Sequence, residues 1–162
     1  MEYKTVKIKH TPEQALFKIK NWCAYQERSQ NEVRQKLYEY HLEPEDAEQI
    51  IATLISENFL NEERFALTFT SGKFRIKQWG RNKIKVELRK HKVSDYSINK
   101  ALKSIDGDEY EKTIIKVIEK KLRLTRSTDR RKQFYGTLTY LASRGFESDL
   151  VTEQLNKLLE KD

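Results

Sequence analysis

Positive side chains are concentrated between residues 73 and 92, where nine lysines or arginines accompany a single acid, Glu87. Ammonium and guanidinium groups at this density bind polyanions, because neutralising a polyanion releases its counterions. Cations in the last turn of a helix can simply complement the helix dipole, but those in the first turns after Gly80 are unfavourable there. We therefore predict contacts to nucleic acid or another polyanion from Lys73, Arg75, Lys77, Arg81, Lys83, Lys85, Arg89 and Lys92.

A second basic segment, between residues 116 and 132, contains eight bases and two acids. From it we assign Arg130, Arg131 and Lys132 to the same binding surface. The competing interpretation is a solvated helix face, which needs no ligand. Trp79 could stack on a base if its ring is exposed, whereas Phe74 has the helical spacing of a core residue.

Acids dominate the segment before the first basic run, since residues 39–64 hold eight acids and one base. The charge is therefore polarised along the chain. We predict that an acidic patch near the start of the third helix meets a basic surface on a protein partner. The residues of this patch are Glu43, Glu45, Asp46 and Glu48.

The sequence offers no arrangement typical of catalysis or metal binding. It has no glycine-rich phosphate loop, no paired cysteines and no His-Glu-x-x-His motif, and its three histidines are dispersed. Cys23 lacks a neighbouring base, so we predict that it is a small buried core residue. We therefore predict a binding protein rather than an enzyme, with no catalytic residue, no metal and no cofactor.

Composition narrows the fold class. The chain has 162 residues, a net charge of +7, and 37% hydrophobic residues. Glycine (5) and proline (2) are too scarce for a barrel or sandwich with many tight turns. A single cysteine excludes an internal disulfide, and no apolar run approaches the roughly 20 residues of a membrane span. We expect a soluble, cytoplasmic, monomeric protein that is mostly helical.

Capping signals divide the chain into nine predicted helices. Residues 11–14 (TPEQ) and 29–32 (SQNE) are capping boxes, and Pro44 suits the first turn of a third helix. Asn61 can cap a fourth helix, Gly80 separates the fourth from the fifth, and Gly145 ends the eighth. Apolar residues recur with a period near 3.6 within these segments, as in helices with one buried face.

An internal repeat becomes visible when the chain is shifted on itself by 51 residues, which places Leu37 on Leu88. A shift of 104 residues places Leu37 on Leu141. Three units of three helices follow, and each is too small to stand alone, so we predict an all-α, elongated, curved array of stacked repeats. The predicted units are residues 11–58, 59–106 and 107–162, after a tail at 1–10 for which a strand and a frayed end are both open.

Four ordered motifs resemble the RecX family of regulatory proteins. Residues 29–37 (SQNEVRQKL) resemble the family element S-x-x-E-[LV]-x-x-K-L. Residues 58–66 (NFLNEERFA) resemble its most characteristic run, G-[FY]-[LI]-[DN]-[DE]-x-R-[FY]-A, with Asn58 in place of the usual glycine. Residues 79–84 (WGRNKI) with Leu88, and residues 144–146 (RGF), resemble two further elements. Asparagine also tolerates a left-handed helix cap, so the substitution fits the same turn.

The resemblance implies three tandem repeats, each a modified helix-turn-helix, in a non-enzymatic modulator of the RecA recombinase. Such proteins lie along the groove of a RecA–single-strand DNA filament, block its growth, suppress ATP hydrolysis and strand exchange, and favour its disassembly. The implied partners are the RecA filament and single-strand DNA, with duplex DNA left open. Arg64 matches the arginine of the family motif and is assigned to partner binding, although a structural ion pair with Glu62 or Glu63 is an alternative role.

Two other functions stay open on the sequence alone. A single helix-turn-helix could bind duplex DNA in the major groove, although no helix presents an obvious Arg/Asn/Gln face for reading bases. Alternatively, the helical array could serve as a protein-only adaptor, whose partner binding would be insensitive to salt and to polynucleotide.

Overall fold

The computed structural model describes residues 9–160, and within that range the chain forms nine α-helices and no strand. The helices are α1 (Pro12–Tyr25), α2 (Gln30–Glu39), α3 (Pro44–Ser56), α4 (Glu62–Arg75), α5 (Arg81–Lys90), α6 (Asp95–Lys103), α7 (Gly107–Leu124), α8 (Arg130–Ser143) and α9 (Ser148–Glu160). None of these helices is both long and apolar enough to cross a membrane. The predicted all-α fold of three tandem three-helix repeats is confirmed. The open question of a strand or a tail concerns residues 1–8, which lie outside the described residues.

Capping side chains start the helices where the sequence predicts. Thr11 and Ser29 each accept a hydrogen bond from the backbone N–H three residues ahead, at Gln14 and Glu32. The side chains of Gln14 and Glu32 accept one in return from the backbone of the capping residue. Asn61 accepts a bond from the third backbone N–H of α4. These bonds satisfy N–H groups that have no partner inside the helix and so define where each helix begins.

The repeat is visible in the backbone itself. The third helices of the units, α3, α6 and α9, begin at positions separated from the first by 51 and 104 residues. Just before them, His41, Lys92 and Gly145 share one register position and have left-handed φ angles of 59°, 58° and 96°. A left-handed residue therefore ends the second helix of every repeat and turns the chain into the third.

The hydrophobic core is divided unequally between the repeats. Repeat 1 (α1–α3) buries a cluster of its own, in which Ile19, Leu37 and Leu54 are fully enclosed. Repeat 2 (α4–α6) and repeat 3 (α7–α9) share one continuous cluster that extends from Phe65 to Leu155. Repeats 2 and 3 therefore pack as a single unit, and repeat 1 adjoins this unit with a separate core.

Polar side chains join repeat 1 to repeat 2. The Arg64 Nε atom, in the first turn of α4, lies 2.5 Å from Glu27 Oε1 of repeat 1. His91, at the end of α5, has its Nδ1 atom 3.3 Å from both Ser29 Oγ and Glu32 Oε1 at the start of α2. These hydrogen bonds and ion pairs connect repeat 1, with its separate core, to the unit formed by repeats 2 and 3.

Backbone contact at two glycines joins repeat 2 to repeat 3. The Gly80 N–H donates to the Arg144 carbonyl at 2.8 Å, and the Asn82 N–H donates to the Gly145 carbonyl at 3.0 Å. A Cβ atom on Gly80 would lie 2.3 Å from the carbonyl carbon of Gly145. The turn between α4 and α5 and the turn between α8 and α9 therefore approach as closely as they do only because both positions lack a side chain.

Glu62 connects α4 to the start of α6. Its carboxylate accepts hydrogen bonds from the Ser94 N–H at 3.0 Å, the Ser94 hydroxyl at 2.8 Å and the Ser97 hydroxyl at 2.9 Å. Burial acts to raise the pKa of Glu62, but the three donors outweigh burial and hold this pKa below its ordinary value. Because the folded-state pKa is the lower one, the charged form of Glu62 stabilises the folded protein.

We expect the stability that Glu62 supplies to depend on pH. It is fully present above the unfolded carboxyl pKa and is lost as the pH falls through the lower, folded-state pKa. Replacing Glu62 with glutamine should therefore destabilise the protein near neutral pH and have a smaller effect in strong acid. Urea unfolding of the variant and the unmodified protein, at neutral pH and in strong acid, measures the difference in the free energy of unfolding. An equal loss of stability at the two pH values would contradict the role of the charged Glu62.

Candidate nucleic-acid interface

The turn between α4 and α5 places two of the predicted cations on Trp79. The Nζ atoms of Lys73 and Lys83 lie 4.8 and 4.5 Å from the centroid of the Trp79 ring. The turn is held by a left-handed Gln78 and by the Trp79 N–H, which donates to the Lys73 carbonyl. Trp79 is half-buried, so one part of its ring packs on the shared core while two cations lie against it near the surface. We call these three residues the Trp79 cluster.

Two of the predicted arginines are paired with carboxylates of repeat 3. Arg81 Nη1 lies 2.9 Å from Glu147 Oε2, and only 29% of the Arg81 side chain is exposed. Arg75 Nε lies 3.5 Å from Glu109 Oε1, but 65% of the Arg75 side chain remains exposed. Arg81 therefore has a structural role at the joint between repeats 2 and 3, which competes with the polyanion contact predicted for it.

The remaining cations of residues 73–92 do not share one surface. Successive helical residues are about 100° apart, so Lys83 and Lys85 flank the buried Ile84 from opposite sides of α5. Four further cations are exposed, of which two lie on α5 and two lie in turns: Arg89, Lys90, Lys77 and Lys92. The structure thus brings Lys73 and Lys83 together at Trp79, and it places Lys85 and Arg89 in line with Arg81 along another side of α5, since these three residues are four apart.

Arg130, Arg131 and Lys132 form the exposed first turn of α8. Asp129 caps this turn by accepting hydrogen bonds from the backbone N–H groups of Arg131 and Lys132 at 2.9 and 3.5 Å. Three cations at the positive end of a helix dipole are unfavourable, so dipole complementarity does not account for them. Their contact with a polyanion stays a prediction.

The acidic patch lies at the start of α3. Glu43 precedes the helix and lies 3.8 Å from Lys9, while Glu48 accepts two hydrogen bonds from Arg34, at 2.6 and 3.3 Å. The hydrogen bond from Arg34 holds the pKa of Glu48 below its ordinary value. The first turn of the helix contributes the other two acids, Glu45 and Asp46. Their contact with a protein partner also stays a prediction.

The alternative pairing of Arg64 with Glu62 or Glu63 is wrong. The Arg64 guanidinium lies 2.5 Å from Glu27, and it donates to the side-chain and backbone oxygens of Asn58 at 3.0 and 3.1 Å. Asn58 has a left-handed φ of 63°, as expected of a residue that replaces a capping glycine. A structural role for Arg64 is therefore present, but its carboxylate partner belongs to repeat 1 and is 37 positions away in the chain.

A basic groove runs along α7. We call it the α7 groove. Three of its lysines, Lys116, Lys120 and Lys121, belong to the second basic segment but are not among the residues predicted to bind. One wall consists of α7 residues spaced three or four apart, which lie on one face of that helix. The ends of α4 and α8 form the opposite wall. Its two sections, of about 450 and 230 Å³, adjoin at Gln78, which lines both. Six cations line the groove: Arg75, Lys112, Lys116, Lys120, Lys121 and Arg144.

Several contacts fix the shape of the α7 groove. The Arg144 guanidinium donates to the backbone carbonyls of Lys77 and Gln78, which ties the end of α8 to the turn after α4. The Tyr140 ring is 38% exposed, and the Lys121 Nζ atom lies 4.9 Å from its centroid. The spacing of Lys112, Lys116 and Lys120, four residues apart, is the sequence signal for this row of cations.

Cys23 is buried, as predicted, with 6% of its surface exposed. Burial raises the pKa of its thiol to about 11, so the sulfur is protonated at neutral pH and is a weak nucleophile.

Two family models match the chain: "RecX, second three-helix domain" over residues 61–102 and "RecX, first three-helix domain" over residues 20–54. Among solved structures, RecX from Lactobacillus salivarius superposes with a TM-score of 0.82 at 20% identity, covering 91% of this chain and 96% of that one. A second crystal structure, of a regulatory protein RecX, superposes with a TM-score of 0.79 at 20% identity, over 86% of this chain and 68% of that one. At this identity the superpositions support the fold.

Curated relatives extend the similarity over most of the chain. "Regulatory protein RecX" of Thermotoga maritima is 30% identical over 138 residues, which is 83% of this chain and 78% of the relative. The protein of that name from Prosthecochloris aestuarii is 29% identical over 90% of this chain and 93% of its own length. The chain spans about two thirds of the longer relative from Clostridioides difficile, at 24% identity over 68% of that protein. The chain therefore belongs to the RecX family of regulatory proteins.

Proposed function

We propose that this protein is a non-enzymatic regulator that binds the RecA recombinase and its single-strand DNA filament. In this role it blocks filament growth, ATP hydrolysis and strand exchange during DNA recombination and repair. The observation that carries the proposal is membership of the RecX family, whose members are named as regulatory proteins. The separation of a basic from an acidic surface supports it, because a nucleoprotein filament presents both phosphates and protein side chains.

The proposed mechanism assigns different repeats to the two components of the filament. Cations of repeats 2 and 3 contact phosphates or acidic filament surface, and the acidic patch at the start of α3 contacts basic surface of RecA. The acidic patch belongs to repeat 1, which has a hydrophobic core of its own. The Trp79 cluster and the α7 groove belong to the unit formed by repeats 2 and 3. A protein held along the filament by both contacts would obstruct the addition of further RecA subunits.

Charge reversal of three lysines around α5 tests the basic half of this mechanism. We expect Lys73→Glu, Lys83→Glu and Lys85→Glu together to raise the concentration needed to inhibit RecA by about tenfold or more, because contacts to phosphates or to acidic filament surface are lost. The measurement is single-strand-DNA-dependent ATP hydrolysis by RecA during titration of each protein. Arg81 is left unchanged because its ion pair with Glu147 belongs to the fold.

A control with similar charge change is available outside this surface. Lys103→Glu and Lys157→Glu together replace exposed lysines on α6 and α9, and this variant should inhibit RecA much as the unmodified protein does. Inhibition by the triple variant at unchanged concentrations would remove the lysines around α5 from the mechanism. Footprinting of a specific duplex sequence without RecA would instead favour a duplex-binding regulator.

A further inference from the structure

We propose that the α7 groove binds an extended single strand of nucleic acid directly, without RecA. In this arrangement the phosphates follow the row of Lys112, Lys116 and Lys120, and one base stacks on Tyr140. The inference rests on the proposed function and deepens it, because it assigns the strand-binding part of the filament contact to repeat 3. The assignment differs from the one predicted from charge density, which places that contact around α5 and in the first turn of α8.

The three lysines in a row on α7 are available to a ligand. Within residues 9–160, none of Lys112, Lys116 and Lys120 is paired with a carboxylate, and all three side chains are exposed. The lining includes one acid, Glu109, which lies 3.5 Å from Arg75 and is neutralised by it. Side chains four residues apart follow one another along the helix, so the lysines form a row that an extended phosphate backbone can follow.

The groove also offers surface for bases. Tyr140 is 38% exposed and the neighbouring Leu124 is 70% exposed, so both offer apolar surface beside the row of lysines. A base can stack on the face of an aromatic ring whatever its identity, and a nearby cation adds to the attraction of the strand. Tyr140, with Lys121 beside its ring, thus combines an aromatic surface with a cation, as single-strand binding sites commonly do.

The dimensions favour a single strand over a duplex. The α7 stripe from residue 109 to residue 124 is roughly 22 Å long at 1.5 Å per residue. The groove sections of about 450 and 230 Å³ have room for an unpaired base, and a base inside a duplex could not stack on Tyr140 because both of its faces are already stacked. An acidic peptide would satisfy the lysines as well, yet it would leave the exposed Tyr140 ring without a stacking partner.

Fluorescence anisotropy of a labelled oligothymidylate, in the absence of RecA, tests the inference. We expect Lys116→Glu with Lys120→Glu to weaken binding about tenfold or more. The slope of log affinity against log salt should also fall by about 1.4, since each phosphate neutralised on a single strand contributes about 0.7. The control is Lys103→Glu with Lys157→Glu, which should bind as the unmodified protein does. Circular dichroism verifies that each variant is folded.

Substitution of Tyr140 separates stacking from charge. Tyr140→Ala should weaken binding of the oligothymidylate about tenfold with no change in the salt slope, because it removes a stacking surface and no cation. Tyr140→Phe keeps the ring and should bind nearly as well as the unmodified protein. Equal binding by the alanine and phenylalanine variants would overturn the role of Tyr140.

Three further outcomes decide whether the groove binds nucleic acid or an acidic peptide, and whether the groove inference and the proposed function fail separately. If the Lys116/Lys120 variant binds the oligothymidylate as tightly as the unmodified protein, the inference is overturned. It is also overturned if polyglutamate displaces the oligonucleotide more effectively than unlabelled oligothymidylate at equal charge, since the groove then prefers an acidic peptide. If the unmodified protein binds the strand in the groove but leaves RecA activity unchanged, the inference stands and the proposed function fails.

Discussion

Replacing Gly80 with alanine should destabilise the protein by about 3 kcal/mol. The new Cβ atom would lie 2.3 Å from both the carbonyl carbon and the carbonyl oxygen of Gly145, and 2.4 Å from the Phe146 nitrogen. These are backbone atoms, so no flexible side chain can move aside. Relief requires the two turns to separate, which would break the hydrogen bond from the Gly80 N–H to the Arg144 carbonyl.

Urea unfolding followed by circular dichroism measures this effect, and Gly136 provides a matched control. Gly136 lies inside α8, with nothing within 4 Å of a Cβ atom. Gly136→Ala should therefore leave stability unchanged or increase it by up to about 1 kcal/mol, because alanine is the better helix former. A Gly80→Ala protein as stable as the unmodified one would show that repeats 2 and 3 do not meet through these turns.

Replacing Glu147 with alanine should cost about 2 kcal/mol, the second large effect that we expect. Glu147 accepts hydrogen bonds from the Tyr110 hydroxyl and from the Arg81 guanidinium, the latter at 2.9 Å. Tyr110 is only 2% exposed, and burial together with the bond to Glu147 raises its pKa above the ordinary value, so its hydroxyl is a protonated donor. Removing the carboxylate leaves both donors unpaired in the joint between repeats 2 and 3.

Two variants distinguish this network from a general effect of lost charge. Glu153→Ala on α9 removes an exposed acid that is paired with Lys157, and it should change stability by less than about 0.5 kcal/mol. Glu147→Gln keeps an acceptor for Tyr110 and should lie between Glu147→Ala and the unmodified protein. Denaturant midpoints give the order, and equal midpoints for Glu147→Ala and Glu153→Ala would contradict the assigned role.

Local signals in the sequence predict the helices and their repeat well. Capping boxes at Thr11 and Ser29 form as predicted, because each involves residues only three positions apart. The shifts of 51 and 104 residues reappear as left-handed residues at His41, Lys92 and Gly145. Each of these features is decided within one or two turns of the chain, where residue type and spacing contain the necessary information.

Contacts between repeats could not be predicted in the same way. The partner of Arg64 is Glu27, and the partner of Arg81 is Glu147, which is 66 positions away. From the charges alone such arginines are expected to bind a ligand, although in the folded protein each is paired with a carboxylate of another repeat. Gly80 illustrates the same limit, because its neighbour Gly145 is defined only by how the turns of two repeats meet.

The sequence predicts the α7 groove only in part, because residues 116–132 are identified as basic but Lys112, Lys116 and Lys120 are not assigned to the binding surface. The net positive charge is greatest at residues 73–92, but the cations there divide between the Trp79 cluster, one stripe of α5 with Arg81, Lys85 and Arg89, and the flanking turns. On α7 the lysines are fewer per residue, yet Lys112, Lys116 and Lys120 lie on one stripe and face a second wall from α4 and α8. Whether cations share one surface depends on their spacing along a helix and on the neighbouring helices. A count of charges in a segment contains neither kind of information.

The most direct test of the account is the effect of this protein on single-strand-DNA-dependent ATP hydrolysis by RecA, titrated at a low and a high salt concentration. A regulator that uses cations of repeats 2 and 3 should inhibit hydrolysis at low salt and require a much higher concentration at high salt, because released counterions drive phosphate binding. Unchanged RecA activity at every protein concentration and at both salt concentrations would contradict the account.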